Sequence, residues 1–365
     1  MQKLSELAIN RNNNFNLIRF ISAFLVLYSH SYPLTGSHSD PLERYGVSFG
    51  DLAVNIFFVT SGFLVAGSLA TRKNIGIFLY ARILRIMPGL TASMLFCVFV
   101  VGVLYTEKSL FAYFSSPATY DYLFSNTTLV VKALQWGLPG VFIDNPYKIT
   151  VNGSIWTLPW ELKMYLLLTV VSLPVYLPPQ FRLHEKWLTL AVSALGVVSI
   201  LVYLVLIMKN QHLEHPGIRF LGMFFIGATF YVMRHRIPIS HGIALLMALM
   251  LFYLRGNPFV FKLFLTVSIG YLCIYLAYTT CPILLRFNRI GDYSYGIYIY
   301  AFPVQQAISA SYPGIDVSEM TVLAMLVTLP LSIASWHFIE KPFLDVKKRH
   351  EEIGTWINHY LKKRT

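Results

Sequence analysis

Residues 187–208 read WLTLAVSALGVVSILVYLVLIM, a stretch without a single charged side chain. A helix that crosses a bilayer needs about 20 predominantly apolar residues, so this stretch predicts a membrane span. The rest of the chain has the same character, because 56% of its 365 residues are hydrophobic, 13% are charged and the mean hydropathy is +0.57. Soluble domains carry about 25% charged residues. The sequence therefore predicts an integral membrane protein.

Nine further windows qualify as spans. With 187–208 they predict an all-α, polytopic membrane protein with about ten transmembrane helices, near 15–32, 50–70, 86–106, 158–178, 187–208, 217–233, 239–255, 260–280, 290–311 and 320–340. Ten spans put both termini on one side. Most of the 29 Lys and Arg residues lie in alternate loops, and the positive-inside rule then makes both termini cytoplasmic. We expect a transmembrane domain at 1–345 and a basic cytoplasmic tail at 346–365.

The formal net charge of +12 would suggest nucleic acid in a soluble protein. Here the loop asymmetry explains most of that charge, so no nucleic-acid partner is expected, and the basic tail is expected to lie near anionic lipid. The three cysteines show no metal-ligand or redox spacing, which predicts neither a disulfide framework nor a metal site.

One predicted outer connection, 107–157, is much longer than most others. It is rich in aromatic residues, Gly and Pro, and long loops are usually functional or disordered. Its apolar stretch near 129–143 is expected to dip back into the membrane interface.

Arg19 and His30 lie eleven residues apart on the first predicted span. This spacing is close to three helical turns and about 16 Å of rise, so the two side chains share a face at different depths. Arg19 is expected toward the cytoplasmic end and His30 toward the outer end. Ionisable residues inside spans tend to face a cavity or a partner, which makes the pair a candidate site. The alternative for His30 is a hydrogen bond to a neighbouring helix or to interfacial water.

Glu161 is expected about one turn inside the outer end of the fourth span, at the depth of His30. A carboxylate there can orient an imidazole and stabilise its protonated form, as a general base requires. His30 and Glu161 are therefore the candidate catalytic pair. The alternatives for Glu161 are an ion pair with Lys163 and stabilisation of a helix start.

Arg82 and Arg85 lie at the cytoplasmic entry to the third span. Three residues apart on a helix, they project from neighbouring positions, and paired guanidinium groups suit a phosphate-bearing ligand. The alternative is anchoring to lipid headgroups together with the positive-inside bias. We assign Arg19, Arg82 and Arg85 to ligand phosphate binding.

Asp51 and Asn55 lie one turn apart near the outer end of the second span, where they can line the same pocket as His30. Ser61 follows deeper in that span. We assign to this pocket Asp51, Asn55, Ser61, Trp156 and Tyr165. Gly62 is expected to permit close helix packing rather than to bind a ligand.

At these residues the sequence resembles the acyltransferase 3 family of membrane O-acyltransferases. The matching segments run in family order over almost the whole chain: Arg19 with His30, FFVTSGFL at 57–64, Arg82 and Arg85 with Pro88, NGSIWTLPWE at 152–161, SYGIY at 294–298 and IEKPF at 339–343. The resemblance implies that His30 is the essential catalytic histidine and that Arg82 and Arg85 handle an acyl-CoA donor. Many members have Asp where this chain has Asn55. We expect a stand-alone form without a C-terminal esterase-like domain.

The resemblance implies a bacterial inner-membrane O-acyltransferase that moves an acyl group, acetyl by resemblance, from cytoplasmic acyl-CoA to a hydroxyl of an extracytoplasmic glycan. Its expected partners are acyl-CoA, a carbohydrate acceptor and membrane lipid, with no bound cofactor. His30 would act as general base or through an acyl-histidine relay, and the sequence leaves both open. Trp136 and Trp156 would stack on a sugar, or anchor the protein at the interface.

Two rival functions remain at this point. One is a proton-coupled transporter or flippase in which His30, Glu161 and Asp51 form a proton relay. The other is a non-catalytic assembly subunit, for which the ionisable set would be dispensable.

Overall fold

The computed structural model describes residues 2–8, 12–37, 39–72, 74–129, 132–177, 180, 182–209, 215–279 and 282–346. Most of these residues are helical, which confirms the all-α prediction. Except for Val346, the predicted basic tail lies outside the described residues.

Eleven helices of ten or more residues occur in the described ranges. They are α1 Phe15–Leu34, α2 Phe49–Arg72, α3 Ile75–Phe96, α4 Pro117–Thr128, α5 Leu158–Tyr176, α6 Glu185–Lys209, α7 Pro216–Val232, α8 His241–Leu254, α9 Pro258–Tyr278, α10 Ser294–Ser311 and α11 Val317–Ser335. Two π-helical turns, Cys97–Gly102 and Trp336–Glu340, follow α3 and α11 directly. Shorter α-helices span Leu4–Leu7, Val103–Tyr105, Leu110–Phe114 and Pro282–Leu285, and 3-10 turns span Glu43–Tyr45, Ser154–Thr157 and Arg286–Arg289. Strands β1, Gln2–Lys3, and β2, Pro238–Ile239, pair antiparallel.

Each of the ten predicted windows coincides with a helix. Six described helical runs are long and apolar enough to cross a membrane: Phe49–Arg72, Ile75–Tyr105, Ser154–Tyr176, Glu185–Lys209, Pro258–Tyr278 and Val317–Val346. The count of ten spans and the side of the termini stay predictions. The third helix begins at Ile75, eleven residues before the predicted window, and therefore contains Arg82 and Arg85.

The chain divides into two compact units. The first comprises Met1–Lys73 and Thr157–Ser294, and the second comprises Asn74–Trp156 and Tyr295–Thr365. The first unit contains α1, α2 and α5 to α9. The second contains α3, α4, α11 and all of α10 except its first residue.

Helices α2 and α7 of the first unit touch through glycine. A Cβ atom on Gly62 would lie 1.9 Å from the carbonyl oxygen of Phe224, and one on Gly227 would lie 2.0 Å from that of Val59. Only glycine permits this approach, as in close helix pairs of membrane proteins. The predicted packing role of Gly62 is confirmed.

Helices α1 and α2 form an antiparallel pair whose register is fixed at both ends. The rings of Phe15 and Phe63 stack with centroids 5.4 Å apart. At the other end, the Oγ atom of Ser29 lies 3.1 Å from the position that a Cβ on Gly50 would take. Phe15 and Ser29 are 14 positions apart on α1, and Gly50 and Phe63 are 13 positions apart on α2. The two helices therefore run side by side with matching rise, so a residue on one helix can be assigned to the same depth as a residue on the other.

In the second unit, the long connection 107–157 is tied to α10 by buried amides. The Nδ2 of Asn145 donates to the Oε1 of Gln306 at 2.6 Å, and the Nδ2 of Asn152 donates to the carbonyl oxygen of Ile299 at 2.9 Å. The Nε2 of Gln306 donates to the carbonyl oxygens of Tyr147 and Thr150, each at 2.7 Å. Buried amides with satisfied partners specify one packing arrangement. Residues 145–152 of this connection are therefore a structured part of the unit.

Two tyrosines of the same connection are buried completely. The Tyr113 hydroxyl donates to the carbonyl oxygen of Val98 at 2.9 Å, at the π-helical turn after α3. Burial raises the pKa of Tyr122 well above its ordinary value, so this phenol stays protonated.

Candidate functional site

His30 lies near the end of α1, in a layer shared with the start of α2. Its neighbour Ser29 packs against Gly50, and the ring of Tyr28 lies 5.6 Å from that of Phe49. The loop between the helices fixes this end, because the buried carboxylate of Asp40 accepts hydrogen bonds at 2.8 Å from the backbone N–H groups of Leu42 and Phe49. His30 thus belongs to the same layer as residues 49–51, at the predicted outer end of the helix pair.

Asp51 occupies that layer and pairs with an arginine of α7. The Nη1 of Arg219 donates to Oδ1 of Asp51 at 2.7 Å, and the Ser48 hydroxyl donates to Oδ2 at 3.0 Å. The Arg219 side chain is 6% exposed, whereas that of Asp51 is 39% exposed. The buried guanidinium of Arg219 therefore holds a partly exposed carboxylate in place.

The face of α2 that carries Asp51 is turned toward α7. Phe58 stacks on Phe220 with ring centroids 4.3 Å apart, and Gly62 meets Phe224. Asn55 lies one helical turn after Asp51 and is 5% exposed, and no donor within the described part of the chain reaches its Oδ1. By spacing, Asn55 lies on the same face of α2 as Asp51, and its place in the pocket of His30 stays a prediction.

Glu161 lies in the first turn of α5 and binds two hydroxyl groups. The Ser61 hydroxyl donates to Oε1 of Glu161 at 3.2 Å, and the Tyr165 hydroxyl donates to the same oxygen. The hydroxyl oxygens of Ser61 and Tyr165 are 3.2 Å apart. Three of the predicted site residues therefore form one hydrogen-bonded group.

This group lies at a different level from His30. Gly50 and Ser61 are eleven residues apart on α2, a rise of about 16 Å. Ser29 packs against Gly50, whereas Glu161 binds Ser61, so the carboxylate lies about three turns from the His30 layer. The prediction that Glu161 shares the depth of His30 is wrong, and its role in orienting the imidazole stays a prediction. The fourth predicted span begins beside the middle of α2, not beside its outer end.

The alternative in which Glu161 pairs with Lys163 is also contradicted. The Lys163 ammonium lies 4.3 Å from the ring centroid of Trp160. The position of Glu161 in the first turn of α5 does fit a helix-start role, because the helix dipole favours a carboxylate there.

Arg19 lies at the level of the Glu161 group. Its guanidinium carbon is 5.8 Å from the ring centroid of Phe57, which precedes Ser61 by one turn on the same face of α2. The first unit thus has an outer polar layer, His30, Asp51 and Arg219, and a middle polar layer, Arg19, Ser61, Glu161 and Tyr165.

Arg82 and Arg85 lie on α3 in the second unit, in different surroundings. The Nη1 of Arg85 lies 2.9 Å from Oε2 of Glu340, with the two side chains 14% and 2% exposed. The Ser335 hydroxyl donates to the other carboxylate oxygen at 3.1 Å. The guanidinium carbon of Arg82 lies 5.9 Å from the ring centroid of Phe78. Arg85 therefore forms a buried ion pair, which the interpretation of both arginines as phosphate ligands did not foresee.

Trp156 is half-buried in the 3-10 turn Ser154–Thr157, and Trp136 is 41% exposed. Their assignment to a sugar-binding surface stays a prediction. Among the described residues, no group of three or more His, Cys, Asp or Glu side chains is placed to hold a metal ion.

Comparison with known proteins identifies the family. A profile described as an acyltransferase domain, of the acyltransferase 3 family, matches residues 12–337. The chain belongs to the acyltransferase 3 family. The resemblance predicted from its motifs is thereby confirmed, and the chain is an acyltransferase.

Two relatives carry informative names. An O-acetyl transferase of Shigella phage Sf6 is 28% identical over 356 residues, which covers 92% of this chain and 97% of the phage protein. Nodulation protein 10 of Rhizobium leguminosarum bv. viciae is 30% identical over 211 residues, covering 53% of this chain and 52% of that protein. No solved structure matches the chain.

Sequence reasoning missed two charged partners, Arg219 and Glu340. Each is an ionisable residue in or at the end of an apolar helix, and that signal alone marks a functional hypothesis. What the sequence does not contain is the pairing itself, because Arg219 is 168 residues from Asp51 and Glu340 is 255 residues from Arg85.

Proposed function

We propose that this acyltransferase transfers an acetyl group from cytoplasmic acetyl-CoA to a hydroxyl of an extracytoplasmic glycan, in the inner membrane of a bacterium. The observation that carries the proposal is the outer polar layer, where His30 lies at the level of the Asp51 carboxylate at the predicted outer end of α1 and α2. The name of the full-length phage relative supports acetyl as the group that is moved.

The donor is proposed to bind on the cytoplasmic side, because acetyl-CoA carries phosphates that cannot enter the hydrocarbon core. Arg82, whose guanidinium lies beside Phe78 on α3, is proposed to bind a donor phosphate, and Arg85 is proposed to contribute through its buried ion pair with Glu340. The middle polar layer, with Arg19 and the Glu161 group, would line the path along which the thioester arm passes toward His30.

The transfer step requires a base that takes the proton of the acceptor hydroxyl and a group that stabilises the imidazolium cation formed by that base. A nitrogen of the His30 imidazole removes the proton of the acceptor hydroxyl, and the oxygen attacks the thioester carbonyl carbon. The tetrahedral adduct collapses, the carbon–sulfur bond breaks, and the departing thiolate of coenzyme A takes the proton back from the imidazolium. The products are an O-acetyl ester and coenzyme A, and the base is regenerated.

Asp51 is the carboxylate that we assign to stabilising the imidazolium. It belongs to the layer of His30, whereas Glu161 binds Ser61, about three helical turns farther along α2. Arg219 and Ser48 hold the Asp51 carboxylate in place at 2.7 and 3.0 Å. Arg219 is therefore a positioning residue that acts through Asp51.

The test is transfer of label from radiolabelled acetyl-CoA to a bacterial polysaccharide by the purified, detergent-solubilised protein. We expect His30→Ala to lower the transfer rate about 100- to 10,000-fold, the usual contribution of a general base, with unchanged elution on size exclusion. Transfer by His30→Ala at a rate near that of the unmodified protein would overturn the assignment. Membership in an acyltransferase family favours this function over the transport alternative, which predicts uptake of solute into vesicles without labelled glycan.

A further inference from the structure

A cavity of about 360 Å³ in the first unit, separate from both polar layers, lies where four helix ends meet. Its walls come from the last turns of α2, α5 and α7 and the first turn of α6. The side chains that carry chemistry there are Tyr176, Arg182, Glu185, Thr189, Tyr231 and Arg234. The predicted topology puts these four helix ends at the same, cytoplasmic, surface.

Two guanidinium groups of the cavity are held in place by helix ends. The Nε of Arg182 donates to the carbonyl oxygen of Leu177 at 3.2 Å, and the Nη1 of Arg234 donates to that of Tyr231 at 3.0 Å. The guanidinium carbon of Arg234 also lies 4.5 Å from the ring centroid of Tyr231. Capping a carbonyl occupies one of the five N–H donors of each group. The others suit an anion with several acceptor oxygens.

The remaining walls fit the same kind of ligand. The first turn of the 25-residue helix α6 contributes its positive dipole end. The carboxylate of Glu185 repels an anion, but it is exposed, and the two arginines together carry more positive charge than it carries negative charge. The rings of Tyr176 and Tyr231 give the cavity aromatic surface beside its charges.

We propose that this cavity binds the phosphate group of a ligand at the cytoplasmic surface. Two sources share that chemistry, the nucleotide end of a coenzyme A donor and the headgroup of an anionic phospholipid. The coenzyme A source rests on the proposed function, whereas the lipid source does not. Because binding is measured without turnover, failure of this inference and failure of acetyl transfer are distinguishable.

The experiment uses the full-length protein in phosphatidylcholine nanodiscs. Coenzyme A is titrated calorimetrically in one arm, and discs that also contain phosphatidylglycerol are tested for a rise in melting temperature in the other. Arg182→Gln and Arg234→Gln are compared with Arg236→Gln, which removes an exposed arginine two residues from Arg234 that does not line the cavity.

We expect each cavity variant to weaken coenzyme A binding about tenfold, the loss of one charge-assisted hydrogen bond, or to abolish the stabilisation by phosphatidylglycerol, with Arg236→Gln unchanged. The first result identifies the nucleotide and the second the lipid. Ala70→Phe places a ring in the cavity and keeps both arginines, so it should weaken the same ligand response. This variant tests the proposal if an arginine variant does not fold. The proposal is overturned if all these variants keep the ligand response of the unmodified protein, or if Arg236→Gln loses as much as they do.

Discussion

The Nη1 atom of Arg219 lies 2.7 Å from Oδ1 of Asp51, so a buried guanidinium on α7 holds a partly exposed carboxylate at the start of α2. This carboxylate belongs to the layer of His30. The pair fixes the position of a carboxylate in the layer where the proposed mechanism develops a positive charge on the imidazole.

Removal of Arg219 should therefore impair catalysis through Asp51. Hydrogen bonds to charged groups contribute about 1.5–3 kcal/mol, so Arg219→Gln should lower kcat about 10- to 100-fold. Arg219→Lys should recover part of the loss, because it restores the charge without the planar fork. In a double-mutant cycle with Asp51→Asn, the second substitution should add little. Additive losses, measured by acetyl transfer to glycan, would mean that the two residues act separately.

The two carboxylates should respond differently to substitution. Asp51 shares the layer of His30, so Asp51→Asn should lower kcat for acetyl transfer about 10- to 100-fold. Glu161 binds Ser61 farther along α2, so Glu161→Gln should lower kcat less. The opposite order would restore Glu161 as the partner of His30.

Arg82 and Arg85 should separate into a binding residue and a structural one. Removing one partner of a buried ion pair costs about 3–5 kcal/mol, and the Arg85 and Glu340 side chains are 14% and 2% exposed. Arg85→Gln should therefore lower the melting temperature strongly, and Arg85→Met combined with Glu340→Leu should recover much of it. Arg82→Gln should raise KM for acetyl-CoA in the transfer assay. An unchanged KM for acetyl-CoA in Arg82→Gln would contradict its assignment as a donor-binding residue.

Gly62 and Gly227 should tolerate no side chain. A Cβ at either position would lie within about 2 Å of a backbone oxygen on the facing helix, and overpacking of this kind costs about 1–3 kcal/mol or more. Gly62→Ala and Gly227→Ala should lower the melting temperature in detergent. Gly256→Ala is the matched control, because no atom lies within 4 Å of its Cβ position. A melting temperature for Gly62→Ala equal to that of the control would argue against the close α2–α7 contact.

The sequence predicted the helices better than it predicted the depth at which their side chains lie in the helix bundle. Apolar windows found ten of the eleven described helices of ten or more residues and missed α4, which lies in the connection 107–157. The small residue at Gly62 indicated close packing. Both signals are local. The predicted depth of Glu161 was wrong because the prediction assumed that α5 begins at the depth where α1 ends. The first turn of α5 instead lies beside Ser61, in the middle of α2. The partners of Asp51 and Arg85 could not be found either, since nothing local links α2 to α7 or α3 to the turn after α11.

The central claim is that the donor and the acceptor are used from opposite sides of the membrane. Proteoliposomes of uniform orientation, with the predicted cytoplasmic face inside, would enclose radiolabelled acetyl-CoA, and polysaccharide would be added only outside. We expect label on the external polysaccharide with the unmodified protein and none with His30→Ala. Label that appears only when donor and acceptor share one compartment would contradict the account.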